Sequence, residues 1–133
     1  MKYNKKITIA TGGTGGHIFP AYSLAQHFKK KDYDINVVTD KRGFKILKNY
    51  KDIRINIINS RKLDNKNILN ALISIFQISL SIIFSVILLT KLRPRLILGM
   101  GGYSSFPVCI AAKILRIPFI IYENNLHIGK ANK

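Results

Sequence analysis

Acidic residues are scarce in this sequence. Six Asp and Glu stand against 22 Lys and Arg, a formal net charge of +16 at pH 7, and Glu123 is the single glutamate. Such a field works against cationic partners and favours phosphates, nucleic acid or anionic lipid headgroups. With so few carboxylates, no cluster of His, Cys and acids has metal-ligand spacing, so no metal site is expected. Cysteine is scarcer still. Cys109 stands alone, which excludes an internal disulfide and fits a reducing compartment, with the thiol expected to act as small apolar filler. No secretory leader is expected: the first apolar run ends in glycine after a few residues, short of the ~7–15 such a leader needs. Retention in the cytoplasm is the expectation. The chain shows no internal repeat and no low-complexity segment. Nucleic-acid binding has only the charge to recommend it, because no recognisable module is present.

The 133 residues, 47% of them hydrophobic, suffice for one domain with a real core. Short β-branched runs read as strands at Ile7–Ala10, Asp34–Asp40, Ile53–Asn59, Arg95–Met100 and Phe119–Tyr122. Between them, helices are expected from Pro20 through Lys31, over Gly43–Tyr50, over Asn67–Leu92 and over Val108–Leu115. Strands alternating with helices predict an α/β fold, a Rossmann-like parallel sheet ordered 3-2-1-4-5 with helices on both faces. Ligands of such sheets bind beyond the carboxyl ends of the strands, where strands 1 and 4 diverge.

Both glycine-rich stretches fall at that place. The first, after strand 1, packs Gly12, Gly13, Gly15, Gly16 and then His17 into six residues. Bare backbone turns tightly and brings N–H groups close to a ligand, and a helix amino terminus adds unpaired donors, so the stretch reads as an anion cradle. It lacks the Gly-Lys-Ser/Thr of a Walker A loop and fits G-x-G-x-x-G in no register, which leaves a tight strand-to-helix turn as the plainer alternative. Beside a positive helix end, His17 is expected to be a neutral imidazole able to take a proton. The second stretch, Gly99–Pro107, brings Gly101 and Gly102 with the hydroxyls of Ser104 and Ser105. Two such loops suit a diphosphate better than a single phosphate. Glu123, with Asn124 and Asn125, either binds sugar hydroxyls or caps the next helix.

The stretches "TGGTGGHIFPAYSLA", "LGMGGYSSFP" and "IPFIIYENN…IGKANK" together resemble the amino-terminal half of the MurG family, the UDP-N-acetylglucosamine:undecaprenyl-diphosphoryl-N-acetylmuramoyl-pentapeptide transferases of peptidoglycan synthesis. The resemblance implies the amino-terminal, acceptor-binding half of a GT-B glycosyltransferase, here residues 1–133. Such an enzyme moves GlcNAc from UDP-GlcNAc to the C4 hydroxyl of the MurNAc on lipid I, with inversion, to give lipid II. By the same resemblance Gly13, Thr14, Gly15 and Gly16, with Gly101, Gly102, Tyr103 and Ser104, would grip the acceptor diphosphate. His17 would be the general base, Asn125 an acceptor contact and Glu123 a motif acid of less defined role. No cofactor is implied. Family members usually carry His where this chain has Tyr122, Gln at Asn124, and Gly at Phe106 and Leu126, so the acceptor pocket is expected to be reshaped near Phe106. The family's donor domain, which would hold UDP-GlcNAc, is absent from these 133 residues, and the chain alone is expected not to turn over.

Asn67–Thr90 holds no charge and is long enough to cross the ~30 Å hydrocarbon core. Asn70, Ser74, Gln77, Ser81 and Ser85 nevertheless recur on one narrow helical stripe. A crossing there would part strand 4 from strand 1. Basic residues also flank both ends (Lys62 and Lys66; Lys91, Arg93 and Arg95), so no positive-inside bias appears. The preferred expectation is a crossover helix lying partly on the sheet and partly in an anionic membrane surface, a peripheral attachment to the cytoplasmic face of the bacterial inner membrane. Burial against a partner and a true span are the alternatives. For the whole chain the competing readings are a non-catalytic recruiting subunit that docks a separate UDP-sugar-binding domain, and a nucleotide-binding domain with Asp40 on a ribose.

Overall fold

A computed structural model of the chain describes residues 5–60 and 66–123. The chain alternates strictly between strand and helix: β1 (Lys6–Ala10), α1 (Gly15–Lys29), β2 (Asp34–Thr39), α2 (Lys41–Leu47), β3 (Arg54–Ile57), α3 (Ile68–Leu92), β4 (Leu96–Gly99), α4 (Ser105–Ile114) and β5 (Phe119–Ile121). The five strands form one sheet in the expected order β3-β2-β1-β4-β5, and every pairing is parallel, Ile9 standing between Val37 and Leu98. The central strands β1, β2 and β4 are covered on both faces and buried along most of their length, and the polar Thr8 of β1 and Asn36 of β2 are buried among their apolar neighbours.

Two cores result. On one face Ile7, Ile9, Ile35, Val37, Leu98 and Met100 pack beneath Ile18, Ala21, Ala25 and Leu47 of α1 and α2. On the other, Ala10, Val38, Ile58 and Ile97 meet Leu89, Val108, Ala111 and Ala112 of α3 and α4. The alanines let the helices approach the sheet closely, so each core is thin and closely fitted.

The helix starts differ from expectation. α1 begins at Gly15, not Pro20: the N–H groups of His17 and Ile18 both bond the Thr14 carbonyl at 3.1 Å, so helical pairing already runs through the glycines. Pro20 therefore lies in the second turn, where it removes the N–H that would bond the Gly16 carbonyl. α4 likewise begins at Ser105 rather than Val108, with Pro107 in its first turn. The α1 start does not show in propensity, since glycine is a poor helix former, whereas the Ser104–Pro107 stretch carries ordinary helix-start residues for α4.

α3 runs against ordinary amphipathic logic. Its buried residues are Ser74, Ser81, Ser85 and Leu89, whereas Ile68, Leu72, Phe76, Ile83, Phe84 and Ile87 are exposed. The serines are satisfied along the helix, Ser81 Oγ donating to the carbonyls of Gln77 (3.0 Å) and Asn59 and Ser85 Oγ to that of Ser81 (2.7 Å). Arg93 closes the helix in the left-handed region at φ 50°, just before Pro94, and the chain returns at once to pair beside β1. Both ends of α3 thus belong to one sheet.

Candidate active site

The two glycine loops meet at the carboxyl edge of the sheet. The Met100 N–H bonds the Ala10 carbonyl at 2.8 Å, which carries the β1–β4 pairing to the start of both loops. Beyond it the backbones touch. A Cβ on Gly102, whose φ is +81°, would sit 2.5 Å from the Gly12 carbonyl oxygen, and one on Gly101 (φ +88°) would sit 2.9 Å from Cε1 and Nδ1 of His17. Glycine is required at both places, by conformation and by space. His17, on the third residue of α1, consequently lies between the loops with its Nδ1–Cε1 edge against Gly101. Its Nδ1 is buried and has no hydrogen-bond partner among the described residues.

Thr14 and Gly16 are exposed, and Gly13, Gly15, Gly102 and Tyr103 are half-buried. The first turns of α1 and α4 both open on this edge and carry no acidic residue, a combination that favours an anion.

Three expected donors are committed elsewhere. Ser104 is fully buried beneath Gly12, where a Cβ would come within 2.2 Å of its Oγ, and its hydroxyl lies 2.8 Å from that of Ser60. Buried and paired with Ser60, it is a loop-packing residue rather than a ligand donor. Ser105 Oγ donates to the Gly102 carbonyl at 3.0 Å. The Gly13 N–H is directed at Asp40, whose carboxyl pKa it helps to lower.

Asp40 was read from sequence only as a ribose partner, and its geometry corrects that. The side chain is buried, its Oδ1 accepts from Gly43 N–H at 2.8 Å to cap α2, and its Oδ2 meets Arg42 Nη2 at 3.1 Å and Ser60 Oγ at 3.5 Å. Burial alone would raise its pKa. The donors from Gly43, Arg42 and Gly13 outweigh that and hold the carboxyl below the usual carboxylate value. Arg42 and Ser60 carry no site signal in the sequence, whereas an Asp immediately before a Lys-Arg-Gly helix start is an N-cap signal.

On the remaining side, the Tyr122 N–H bonds the Gly99 carbonyl at 2.7 Å, so the chain leaves the sheet at Glu123 beside the second loop. Tyr122 itself turns toward an apolar trough of about 520 Å³ between α1 and β4–β5, lined also by Pro20, Leu24, Met100 and Ile120. Phe106 is exposed on the first turn of α4. Asn125 lies outside the described residues, and no group of His, Cys, Asp and Glu able to hold a metal occurs among those described.

Residues 7–133 match the glycosyltransferase family 28 N-terminal domain. The chain belongs to that family. Among curated relatives, a UDP-N-acetylglucosamine--N-acetylmuramyl-(pentapeptide) pyrophosphoryl-undecaprenol N-acetylglucosamine transferase of Wolbachia sp. subsp. Brugia malayi is 40% identical over 131 residues, covering 96% of this chain and 35% of that protein. Its namesake in Agrobacterium fabrum is 35% identical, with 96% and 34% covered. Of solved structures, Acinetobacter baumannii MurG superposes with a TM-score of 0.82 at 26% identity, over 96% of this chain and 37% of that one. The calicheamicin glycosyltransferase CalG4 matches with a TM-score of 0.65 at 16% identity over 94% of this chain and 33% of its own, a likeness of fold alone. The family 28 domain here is therefore the amino-terminal Rossmann-like half of the GT-B architecture. It spans about a third of the length of the curated relatives it matches.

Proposed function

We propose that this chain is the acceptor-binding half of a GlcNAc transferase of peptidoglycan synthesis, with UDP-GlcNAc as donor and lipid I as acceptor. The observation that carries the reading is the contact of His17 with Gly101 where the two glycine loops converge. Exposed backbone at Thr14–Gly16 and at Gly102–Tyr103 would hold the acceptor diphosphate, with the amino ends of α1 and α4 adding donors and positive dipole. Glu123 and Asn125 would contact the sugar. With the Nδ1 edge packed against Gly101, Nε2 would be the nitrogen that faces the acceptor. The C4 hydroxyl oxygen would attack C1 of GlcNAc, the bond from C1 to the UDP oxygen would break, and Nε2 would take the hydroxyl proton.

The exposed apolar face of α3, flanked by Lys66, Lys91, Arg93 and Arg95, would lie in the anionic cytoplasmic surface of the inner membrane. A lipid-linked acceptor never leaves that surface. In a complete enzyme carrying this chain, His17→Ala should lower kcat by about 10²–10⁴-fold with little change in KM for lipid I, the range for loss of a general base. An unchanged kcat would remove His17 from the chemistry.

A further inference from the structure

The groups assigned to the diphosphate share a shortcoming: backbone N–H groups, an imidazole and hydroxyls bring no fixed positive charge to a ligand with about two negative ones. The structure supplies a cation that the sequence motifs do not contain. Arg42 is the second residue of α2, and its Nη2 stands 3.5 Å from the point a Cβ on Gly13 would occupy, so the guanidinium lies against the bare backbone of the first glycine loop. Its side chain is 64% exposed while that of its partner Asp40 is 7% exposed. A guanidinium has five N–H donors in a planar fork, and the bond to Asp40 uses one edge.

Asp40 cannot swing away from this position. Its carboxylate accepts from Gly43 N–H and from Ser60, whose hydroxyl in turn meets Ser104 beneath Gly12, and its Oδ2 lies against the glycine loop itself, 3.5 Å from where a Cβ on Gly12 would go. The connections that follow β1, β2, β3 and β4 are thereby tied to one buried acid. That is far more anchoring than neutralisation of a surface arginine requires, and exposed ion pairs by themselves contribute little.

We propose that Arg42 is the cationic contact of this anion site, a diphosphate-binding residue that Asp40 holds in position. The inference rests on the acceptor reading above. Phosphate oxygens on the Gly13–Gly16 loop would take the free edge of the guanidinium in a charge-assisted, two-pronged contact.

Titration calorimetry of the full chain with inorganic pyrophosphate at constant ionic strength tests this. Arg42→Ala should weaken binding at least tenfold, Arg42→Lys less, and neither should alter the melting temperature appreciably. Arg54→Ala removes the same charge at the opposite end of the strands and should change affinity less than twofold. Asp40→Asn should also weaken binding, and adding it to Arg42→Ala should cost nothing more, which a merely structural acid would not produce. Farnesyl diphosphate should compete with pyrophosphate and UDP should not; the reverse pattern overturns the assignment to the acceptor. Binding that Arg42→Ala leaves unchanged, or that Arg54→Ala weakens equally, overturns the role of Arg42 alone. A wild-type chain that binds no pyrophosphate removes the anion reading and this inference with it.

Discussion

At Gly102 two restrictions coincide: a φ of +81° and a neighbouring carbonyl only 2.5 Å from where a Cβ would go. Left-handed backbone costs an L-residue about 1–2 kcal/mol and forced overpacking about 1–3 more. Gly102→Ala should therefore lower stability by roughly 2–5 kcal/mol, visible as a melting midpoint depressed by roughly 10 °C or more. A midpoint within a degree or two of wild type would mean that the loops do not touch. Asp40 makes a prediction in pH. Its folded pKa is depressed, so its contribution is present above the unfolded value near ~3.9 and is lost as pH falls through the folded one. Asp40→Asn should destabilise by about 1–3 kcal/mol at pH 7, and melts on a descending pH series should see that deficit shrink below about pH 4. A constant deficit would place the effect elsewhere. These two residues also mark the limit of what the sequence discloses. Glycines after a strand announce a ligand loop, but no pattern tells which N–H the protein keeps for itself. The Gly13 N–H is directed at Asp40 and the Ser104 and Ser60 hydroxyls pair with each other because of distances across four connections, and one-dimensional spacing does not encode those. Cys109 was legible: buried against Gly99, it behaves as the apolar filler its isolation suggests, with burial raising its thiol to about 11.

Elements were read from sequence where β-branched runs end in glycine or proline, and their starts were misplaced where tertiary contacts rule. Gly15–Gly16 does not look like the opening of a helix, yet it is one, and the Ser104–Pro107 start is readable from its serine and proline, earlier than the expected Val108. α3 was recognisable as long, apolar and striped with serine. The direction of the stripe was not, because periodicity fixes a face without saying what it faces. The structure turns the serines inward and leaves Phe76 and Phe84 64% and 61% exposed. A helix packed only on its own sheet would do the opposite, and an outward face of this kind suits an apolar environment, whether a partner or a membrane surface. If that environment is an anionic bilayer, wild-type chain should sediment with phosphatidylglycerol vesicles, and less so in high salt, which screens the flanking cations. Phe76→Glu with Phe84→Glu should reduce the partition coefficient on the order of 100-fold, since each buried Phe is worth about 1.5–3 kcal/mol. The melting temperature should hold, as neither ring is in the core. Partitioning that persists in the double variant would assign attachment to charge alone.

For the molecule as a whole, the decisive property is that no single element contains the site. His17 and the first loop follow β1, Asp40 and Arg42 follow β2, Ser60 follows β3, and Gly101–Ser104 follow β4. The sheet alone holds them together, through parallel pairings whose partners are distant in sequence. Unfolded chain therefore has no such site, and an anion that binds there must bind the native state only. Linkage then sets the size of the effect: at a free pyrophosphate concentration 100 times the dissociation constant, stability should rise by about 2.7 kcal/mol, or roughly 10 °C in melting midpoint for a chain this long. Melts across a pyrophosphate titration, read beside calorimetric affinity, measure it. The high positive charge supplies the competing outcome, because lysines scattered over the surface bind anions in the unfolded chain as well. Pyrophosphate that binds calorimetrically yet leaves the midpoint unmoved would show that charge, rather than the convergence of four connections, is what holds it.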